Sequence, residues 1–521
     1  LLPYLVRRLL ENGANTSFVN RIVDEAVPVA EIIADPVDHL KALAVIPHPR
    51  IPLPADLYGG ERCNSRGLNL HDRTQLDSLA REMAATFTVP WHARPLVAGA
   101  ALGGAAREIR DPACRERIVG MVEEADEALV EQALAVALEA FPQWCATTAE
   151  QRAACLEKSA DLLEDHGAAL MALCVREGGR TVPDAAAELR EAVDYCRYYA
   201  VLARRQFARP QHLAGPAGED NSLVLRGRGV FACISPWNFP LAIFTGQVAA
   251  ALAAGNTVLA KPAHQTPLVA ARAVALFQEA GVPGEVLQLL PGSGASVGAK
   301  LVADARLAGI AFTGSTETAW RINRALAARD APIAALVAET GGQNCMIVDS
   351  SAFPEQVVTD VLQSAFNSAG QRCSALRVLF LQDEIAPRVL ALLRGALAEL
   401  RVGDPALLAS DVGPLIDEQA CRALHDHAAR MMREGRLIGQ ASLPEAAAQG
   451  CFFAPRAYEI DSLGLLRGEV FGPILHVIRY GAGHLDAVID AVNGTGYGLT
   501  LGVHSRIDET ARHIRARVRA G

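Results

Sequence analysis

The stretch GVFACISP, residues 229–236, decides the fold because a short apolar run meets an abrupt stop. A run of this length fits a buried strand, and Pro236 ends it. A helical pattern at 241–254 and a second apolar run, TVLAKP at 257–262, follow directly. Strand, helix and strand in this order predict a βαβ unit with two parallel strands.

The same alternation continues towards the carboxyl terminus, so that a helical pattern follows most of the apolar runs. Further strands are predicted at EVLQLLP (285–291), LAGIAFTG (307–314), PIAALVAE (332–339), CMIVDS (345–350) and ALRVLFLQ (375–382). Further helices are predicted at 266–280, 296–304, 315–328, 354–368 and 384–400. The pattern predicts an α/β fold with a doubly wound, Rossmann-type parallel sheet and a second α/β series after it.

The amino-terminal part of the chain has a different pattern. Residues 1–12 are predicted to form a helix, and the prolines between positions 28 and 54 indicate a linker. From about 113 to 208, apolar residues recur at helical spacing, which predicts helices throughout this range. Residues 229–260 carry no charged side chain, but prolines interrupt them, so no transmembrane span is expected.

Composition limits the classes of partner. The 521 residues include 49 Lys and Arg against 58 Asp and Glu, and the net charge of −9 argues against nucleic-acid binding. The 11 cysteines are scattered and contain no C-x-x-C pair, so neither a disulfide framework nor a metal site is expected. This usage predicts a cytoplasmic protein.

Polar residues stand where the predicted strands end, at Asn238, Lys261 and Glu339. Because the carboxyl ends of parallel strands meet at one edge of a sheet, we expect these side chains to converge. Glycines near two further strand ends would let a pyrophosphate approach the backbone. These are Gly292, Gly294 and Gly314, the last followed by Ser315 at a predicted helix start.

One cysteine lies in a loop of unusual composition, FNSAGQRCSA at 366–375. Taken alone, Cys373 is best read as a small buried hydrophobe. A nucleophilic cysteine needs an oxyanion donor and a base for the water that releases the acyl group. Asn238 and Glu339 could supply these, although each residue taken alone is better explained as an ordinary turn or loop residue.

The order and spacing of six short blocks are more specific than any single residue. The blocks are SPWNFP (235–240), AKPAHQTP (260–267), FTGST (312–316), ETGGQN (339–344), GQRCSA (370–375) and EVFGP (469–473). In this order they resemble the signature blocks of the aldehyde dehydrogenase superfamily, and the resemblance covers about 100 to 521. It implies that Cys373 is the nucleophile, Glu339 the general base and Asn238 the oxyanion donor.

The resemblance also implies a nicotinamide dinucleotide as cofactor, with NAD expected to be preferred. Lys261 and Glu469 would hold its two riboses, Gly314 and Ser315 its pyrophosphate, and Phe471 would pack near the nicotinamide. Trp237 is a further expected cofactor-binding residue. His264 stands where relatives often carry an acid that binds the adenosine ribose, so the choice between NAD and NADP stays open.

The first 22 residues resemble the last helix of the proline dehydrogenase barrel in bifunctional proline utilisation proteins of the PutA type. Tyr4, Arg7 and Arg8 match substrate-binding positions of that helix, and two guanidinium groups can clamp a carboxylate. A solvated basic helix end is the plainer alternative. RCNSRGLNLHDRTQLDSL at 62–79 resembles the segment that enters the second domain of these proteins.

These resemblances imply a domain plan. A barrel tail (1–22) would precede a linker (23–99), an NAD-binding domain (100–341), a catalytic domain (342–474) and a return to the NAD-binding domain (475–521). The chain is expected to end before the substrate-anchor loop and the oligomerisation strand. The full-length parent would be a homo-oligomer that also holds FAD in its proline dehydrogenase domain.

The reaction expected for this family is the oxidation of L-glutamate γ-semialdehyde, in equilibrium with 1-pyrroline-5-carboxylate, to L-glutamate. The carboxylate of that substrate needs an anchor, and Ser374 beside the nucleophile is a candidate, although a serine there could equally be structural. Two alternatives remain from the sequence. One is an aldehyde dehydrogenase of another subfamily with a different aldehyde, and the remote one is a cysteine acyl hydrolase.

Overall fold

The computed structural model describes residues 5–6, 18–46 and 50–521, which fall into two compact units, 1–60 and 61–521. Most of the helix predicted at 1–12, with Tyr4, Arg7 and Arg8, lies outside the described residues. In the first unit, short helices lie in the proline-punctuated segment. They are α1 Phe18–Val23, α2 Val29–Ile32 and α3 Pro36–Lys41.

The second unit contains all the strands described and the longer helices. Its helices are α4 Arg73–Thr86, α5 Glu127–Ala146, α6 Ala149–Asp165, α7 Gly167–Gly178, α8 Val182–Phe207, α9 Ala242–Ala253, α10 Pro267–Glu279, α11 Ala299–Ala303, α12 Thr316–Ala327, α13 Pro354–Phe366, α14 Ala386–Glu399, α15 Glu418–Glu434, α16 Leu485–Gly494 and α17 Asp508–Arg517. Within the part of the chain that the structure describes, none of the helices is both long and apolar enough to cross a membrane.

The strands form two large sheets, a three-stranded sheet and a two-stranded hairpin. They are β1 Trp91–Ala93, β2 Leu96–Val97, β3 Ala100–Ala101, β4 Ala105–Asp111, β5 Cys114–Glu124, β6 Gln211–Leu213, β7 Asn221–Leu223, β8 Val230–Ile234, β9 Thr257–Lys261, β10 Leu287–Leu289, β11 Leu307–Thr313, β12 Ala335–Glu339, β13 Cys345–Val348, β14 Val378–Gln382, β15 Arg436–Gln440, β16 Arg456–Glu459, β17 Ile474–Tyr480 and β18 Leu501–His504.

The first large sheet has the order β12-β11-β8-β9-β10-β2-β3. Strands β8 to β12 run parallel, whereas β2 and β3 extend the sheet antiparallel. All five residues of β9 are buried because helices cover both faces of the sheet. The strand order reverses between β8 and β11, so a crevice for a ligand is expected at their carboxyl ends. The predicted Rossmann-type sheet is confirmed.

The second large sheet has the order β15-β16-β17-β14-β13-β18 and is parallel except for the edge strand β15. Strands β13 and β14 are largely apolar and form a separate core with α13 and α14. The strands predicted at 345–350 and 375–382, and the helices around them, are confirmed. The structure therefore has the two α/β series that the sequence pattern predicts.

Two buried glutamates fix the starts of the helices that follow β8 and β9. Glu188 of α8 accepts hydrogen bonds from the backbone N–H groups of Leu241 and Ala242, at 2.7 and 3.3 Å. Glu177 of α7 likewise accepts from the first turn of α10, at 2.6 and 2.9 Å. A carboxylate satisfies the unpaired N–H groups of a helix start and favours its dipole. These contacts hold the loops that carry the site residues.

The helical prediction for 113 to 208 is wrong at its start, because residues Cys114–Glu124 form strand β5. This strand lies between β1 and β4, and Gly120 permits the contact with β1. A Cβ atom at Gly120 would lie only 2.3 Å from the carbonyl oxygen of Trp91. The β-branched residues Ile118 and Val122, four positions apart, satisfy both a helical and a strand period, and the partner strands decide between them.

Candidate active site

The Cys373 loop begins with an unusual backbone conformation at the end of α13. Ser368, Ala369 and Gly370 have φ angles of 57°, 55° and 64°, in the left-handed region. Each non-glycine residue there costs on the order of 1 kcal/mol. The surrounding structure must hold such a turn in place, and the turn directs the next residues towards the carboxyl edge of the first sheet.

A buried guanidinium holds this loop from below. Arg377, whose side chain is 1% exposed, donates to the carbonyl oxygens of Gly370 at 2.6 Å and Arg372 at 2.9 Å. It also donates to the carbonyl oxygen of Gly472 at 3.3 Å. Because Arg377 lies only four residues after Cys373, it ties both sides of the cysteine to the 469–473 segment.

Asn344, in the segment directly before β13, supports the loop from its other side. Its side-chain amide donates to the carbonyl oxygens of Cys373 at 2.6 Å and Ala375 at 3.0 Å. The sequence placed Asn344 inside the ETGGQN block but gave no reason to assign this role. Residues that hold the nucleophile through backbone carbonyls, Asn344 and Arg377 among them, were missed because such contacts leave no periodic or compositional signal.

Asn238 lies beside the cysteine loop, as predicted from the strand ends. It is 6% exposed, and its side-chain amide donates to the carbonyl oxygen of Gln371 at 3.1 Å. Gln371 is itself fixed, since its amide oxygen accepts from the N–H of Ile416 at 3.0 Å. One N–H of the Asn238 amide has no hydrogen-bond partner among the described residues and is available to an oxyanion.

The Cys373 thiol is half-buried, and burial raises its pKa above the ordinary value. The carboxylates of Glu469 and Glu339 raise this pKa further, whereas backbone N–H groups of Cys373 and Ser374 lower it. Both carboxylates therefore act on the thiol through their charge. Ser374 is exposed, and its hydroxyl makes no hydrogen bond within the described part of the chain.

Glu339 ends the edge strand β12 opposite Thr313 of β11. Its backbone carbonyl accepts from the N–H of Gly314 at 3.1 Å, which fixes the backbone at this point. Its carboxylate is exposed and makes no hydrogen bond or ion pair with another described residue. The carboxylate is therefore free to reorient, as a base that takes a proton from water must be.

Glu469 has the opposite environment. Its carboxylate accepts from the buried Arg377 guanidinium at 3.2 Å and from the backbone N–H of Gly342. A Cβ atom at Gly341 would lie 1.7 Å from a Glu469 carboxylate oxygen, so only glycine permits this approach. Burial raises the pKa of Glu469 although Arg377 opposes this effect.

An aromatic pair and a cavity lie next to Glu469. The rings of Trp237 and Phe471 meet edge to face with centroids 5.6 Å apart. Both rings line a cavity of about 480 Å³ together with Glu469 and residues of α15. The structure thus brings together three residues predicted to contact the cofactor, from two segments more than 200 residues apart.

Lys261, at the end of β9, is 4% exposed, and its ammonium donates to the carbonyl oxygen of Pro262 at 3.0 Å. Burial lowers its pKa to about 8. An ammonium has three donors, and only this one is used within the described residues. Two donors are left for ligand oxygens, which fits a ribose.

Two helix starts face the same edge of the sheet. Ser315 accepts from the N–H of Thr318 at 3.2 Å and opens α12 directly after Gly314. Ser293 caps a π-helical turn, Gly294–Gly298, in the same way. A Cβ atom at Gly294 would meet nothing within 4 Å, so the backbone is open to a ligand there. Helix starts with open backbone suit a pyrophosphate, and the set fits a dinucleotide.

His264 lies three residues beyond Lys261, and its Nε2 is 2.9 Å from the Oε1 of Glu124. Burial lowers the pKa of His264, and the charge of Arg107 adds to the effect. An acid therefore stands beside the position where the sequence offers only a histidine. Glu124 was missed because its segment was predicted as helix rather than as strand β5.

The sequence model of the aldehyde dehydrogenase family matches residues 102–521, about four fifths of the chain. The chain belongs to the aldehyde dehydrogenase family. The six blocks, the two sheets and the geometry around Cys373 agree with this match, and the fold expected from the sequence is confirmed.

Within this family, the chain is similar to bifunctional PutA proteins. The chain is 50% identical over 535 residues to the bifunctional protein PutA of Klebsiella aerogenes, covering 100% of this chain and 40% of that protein. A crystal structure of a bifunctional proline utilization A protein has 50% identity and a TM-score of 0.87, and covers 100% of this chain and 50% of that one. The chain thus spans half or less of these relatives.

A structure of 1-pyrroline-5-carboxylate dehydrogenase from Thermus with bound NAD has 31% identity and a TM-score of 0.82. The match covers 87% of this chain and 88% of the Thermus chain. The similarity therefore extends over most of both proteins. The predicted resemblance to PutA proteins and to this dehydrogenase is confirmed.

Proposed function

We propose that this chain oxidises L-glutamate γ-semialdehyde, the open form of 1-pyrroline-5-carboxylate, to L-glutamate with NAD⁺. The observation that carries the proposal is the half-buried Cys373, with the Asn238 amide bonded two residues away and the Glu339 carboxylate unpaired nearby. The names of the PutA and 1-pyrroline-5-carboxylate dehydrogenase relatives support the substrate.

The chemistry follows from these groups. The Cys373 thiolate attacks the aldehyde carbon, and the amide of Asn238 with a backbone N–H stabilises the resulting oxyanion. A bound nicotinamide would supply the acceptor for the hydride that leaves this carbon. The carbon is then bound to Cys373 as a thioester. Water loses a proton to Glu339 and attacks the thioester, which releases the carboxylic acid and restores the thiolate.

Cofactor binding by the chain's own residues is part of the proposal. Lys261 would donate to the adenosine ribose and Glu469 would accept from the nicotinamide ribose. Gly314 and Ser315 would meet the pyrophosphate, and Trp237 with Phe471 would confine the nicotinamide ring. The dinucleotide bound in the Thermus relative supports this reading.

The substrate carboxylate also needs a donor, and the exposed hydroxyl of Ser374 next to Cys373 is the candidate within this chain. Ser374→Ala should raise KM for glutamate semialdehyde while KM for an uncharged aldehyde of similar length stays the same. An equal effect on both aldehydes would make Ser374 structural. A preference for the uncharged aldehyde in the unaltered protein would favour another subfamily.

The wider PutA resemblance supports a further set of proposals. Residues 1–22, with Tyr4, Arg7 and Arg8, would end a proline dehydrogenase barrel that holds FAD in a longer parent. Residues 100–341 and 475–521 would form the NAD-binding domain, and 342–474 the catalytic domain. A cytoplasmic homo-oligomer is the corresponding proposal for the parent, supported by the match over the whole chain. No nucleic-acid binding is proposed for the segment described by this sequence.

Replacing the nucleophile tests the proposed reaction. Cys373→Ala should lower the rate of NADH formation by at least 10³-fold, since no other group can form the thioester. NAD⁺ affinity should stay within about threefold, and Cys63→Ala, at an exposed cysteine far along the chain, should leave the rate unchanged. Oxidation that persists in Cys373→Ala would contradict the proposal, and product formed without NADH would favour an acyl hydrolase.

A further inference from the structure

Glu124 lies at the carboxyl edge of the first large sheet, although its strand β5 belongs to the three-stranded sheet. The N–H of Ala125, the next residue, donates to the carbonyl oxygen of Pro291 at 2.8 Å, just beyond β10. Val122, two residues before Glu124 on the same strand, is fully buried. The end of β5 is therefore fixed beside the strand ends that carry Lys261 and the Ser293 turn.

Two cationic or polar groups hold the Glu124 carboxylate, and both use the same oxygen. Oε1 is 2.9 Å from Nε2 of His264 and accepts from Nε of Arg107 at 2.9 Å. Arg107 also donates to the backbone carbonyl of His264 at 2.6 Å, which closes the group. Oε2 has no hydrogen-bond partner within the residues that the structure describes.

The carboxylate is accessible as well as fixed. The side chain of Glu124 is 22% exposed, and those of Arg107 and His264 are 33% and 43% exposed. The negative charge of Glu124 also acts on Lys261 and raises the pKa of that ammonium against the effect of burial. A free carboxylate oxygen thus stands close to the lysine that the proposed function assigns to the adenosine ribose.

We propose that Glu124 is the residue that selects NAD over 2′-phosphorylated dinucleotides, with its carboxylate held by His264 and partly neutralised by Arg107. This inference rests on the proposed function, which places the adenosine ribose at Lys261. A carboxylate accepts a hydrogen bond from a ribose 2′-hydroxyl and repels a 2′-phosphate. The acid that His264 lacks is therefore supplied from another strand.

The alternative is that the same cluster binds a 2′-phosphate and so favours NADP. Lys261, His264 and Arg107 are all potential phosphate ligands, and without the Glu124 charge they would favour a 2′-phosphate. Glu124 neutralises Arg107 only while their ion pair is intact. The two readings predict opposite nucleotide preferences for the unaltered protein.

Binding of adenine nucleotides, measured without turnover, tests the inference. Isothermal titration calorimetry with AMP and adenosine 2′,5′-bisphosphate, and with NAD⁺ and NADP⁺, gives the selectivity as a ratio of dissociation constants. Glu124→Gln keeps the shape but removes the charge, and should lower the selectivity against the 2′-phosphate at least tenfold. The kcat/KM ratio for NAD⁺ and NADP⁺ should change in the same direction.

Glu123→Gln is the matched control. Glu123 precedes Glu124 on the same strand, faces the other side and is paired with Arg94 at 2.8 Å, with a similar exposure of 20%. Its replacement should leave the selectivity within twofold. Equal effects of the two variants would reduce Glu124 to a general contribution to net charge and overturn the inference.

Arg107→Gln provides a second test that does not depend on the stability of Glu124→Gln. Removing the guanidinium leaves the carboxylate charge unneutralised, so selectivity against the 2′-phosphate should increase about threefold or more. Unchanged selectivity in both Arg107→Gln and Glu124→Gln, with nucleotides still bound, would overturn this inference alone. A protein that binds none of the four nucleotides would overturn the proposed cofactor and this inference with it.

Discussion

Glu339 and Glu469 both act on the Cys373 thiol, but the regions that carry them are built differently. The Glu339 carboxylate is exposed on an edge strand and unpaired within the described residues. The Glu469 carboxylate is wrapped by the 341–342 glycines and paired with a buried arginine. The Glu339 carboxylate is therefore free to reorient, whereas the position of the Glu469 carboxylate is fixed by its contacts.

The difference assigns different roles to two residues of the same type. A group that takes a proton from water must reach water and exchange it, which an exposed and unpaired carboxylate can do. A carboxylate in an ion pair with a buried guanidinium loses that stabilisation when it accepts a proton. We therefore infer that Glu339 acts as the base and that Glu469 is a fixed acceptor beside the thiol.

The largest expected effect comes from Glu339→Gln. Without a base for the deacylating water, steady-state kcat for NADH formation should fall by roughly 10²- to 10⁴-fold. Glu469→Gln should lower kcat less than Glu339→Gln does, since it does not remove the group that takes the proton from water. Equal losses of kcat in the two variants would remove the distinction between the two acids.

The second effect concerns stability and should fall on the other residue. Glu469→Gln leaves Arg377, 1% exposed, without a charged partner, and should lower the free energy of unfolding by about 3 kcal/mol. Glu339→Gln removes an exposed, unpaired charge and should change it by less than about 0.5 kcal/mol. Urea unfolding of both variants checks this, and a comparable loss in Glu339→Gln would contradict the description of its environment.

The smallest effect is a shift in thiol reactivity with pH. Both carboxylates raise the pKa of Cys373, and Glu469 does so more than Glu339. Removing a nearby negative charge favours the thiolate, so the midpoint of the alkylation-rate profile should move to lower pH. Iodoacetamide labelling of the Cys373 peptide, followed by mass spectrometry from pH 7 to 10, should be accelerated a few-fold at pH 8 by Glu469→Gln and less by Glu339→Gln.

The sheet strands were predictable because buried parallel strands are short apolar runs with polar stops. The run at 229–236 contains β8, and the one at 307–314 contains β11, to within two residues at each end. Strand β5 was not predictable in this way, since its apolar residues satisfy two periods. Its partner strands and the glycine that permits their approach decide its conformation, and these are contacts distant in sequence.

Site residues at the ends of predicted strands could be predicted from the sequence. Residues that support the site through buried hydrogen bonds or ion pairs could not. Asn238 lies beside the cysteine loop as expected, and Trp237 meets Phe471. Arg377 and Glu124 were missed because a buried arginine and an acid from another sheet have no local signature. Their roles come from hydrogen bonds that only the folded chain creates.

Trapping the acyl group that Cys373 is inferred to carry tests the thioester route and the role of Glu339 together. Glu339→Gln, mixed with glutamate semialdehyde and NAD⁺ and quenched rapidly, should carry one acyl group per chain. Peptide mass spectrometry should place this group on Cys373, and a burst of one NADH per chain should accompany it. A variant that turns over slowly with no adduct on Cys373 and no burst would contradict both the thioester route and the role of Glu339.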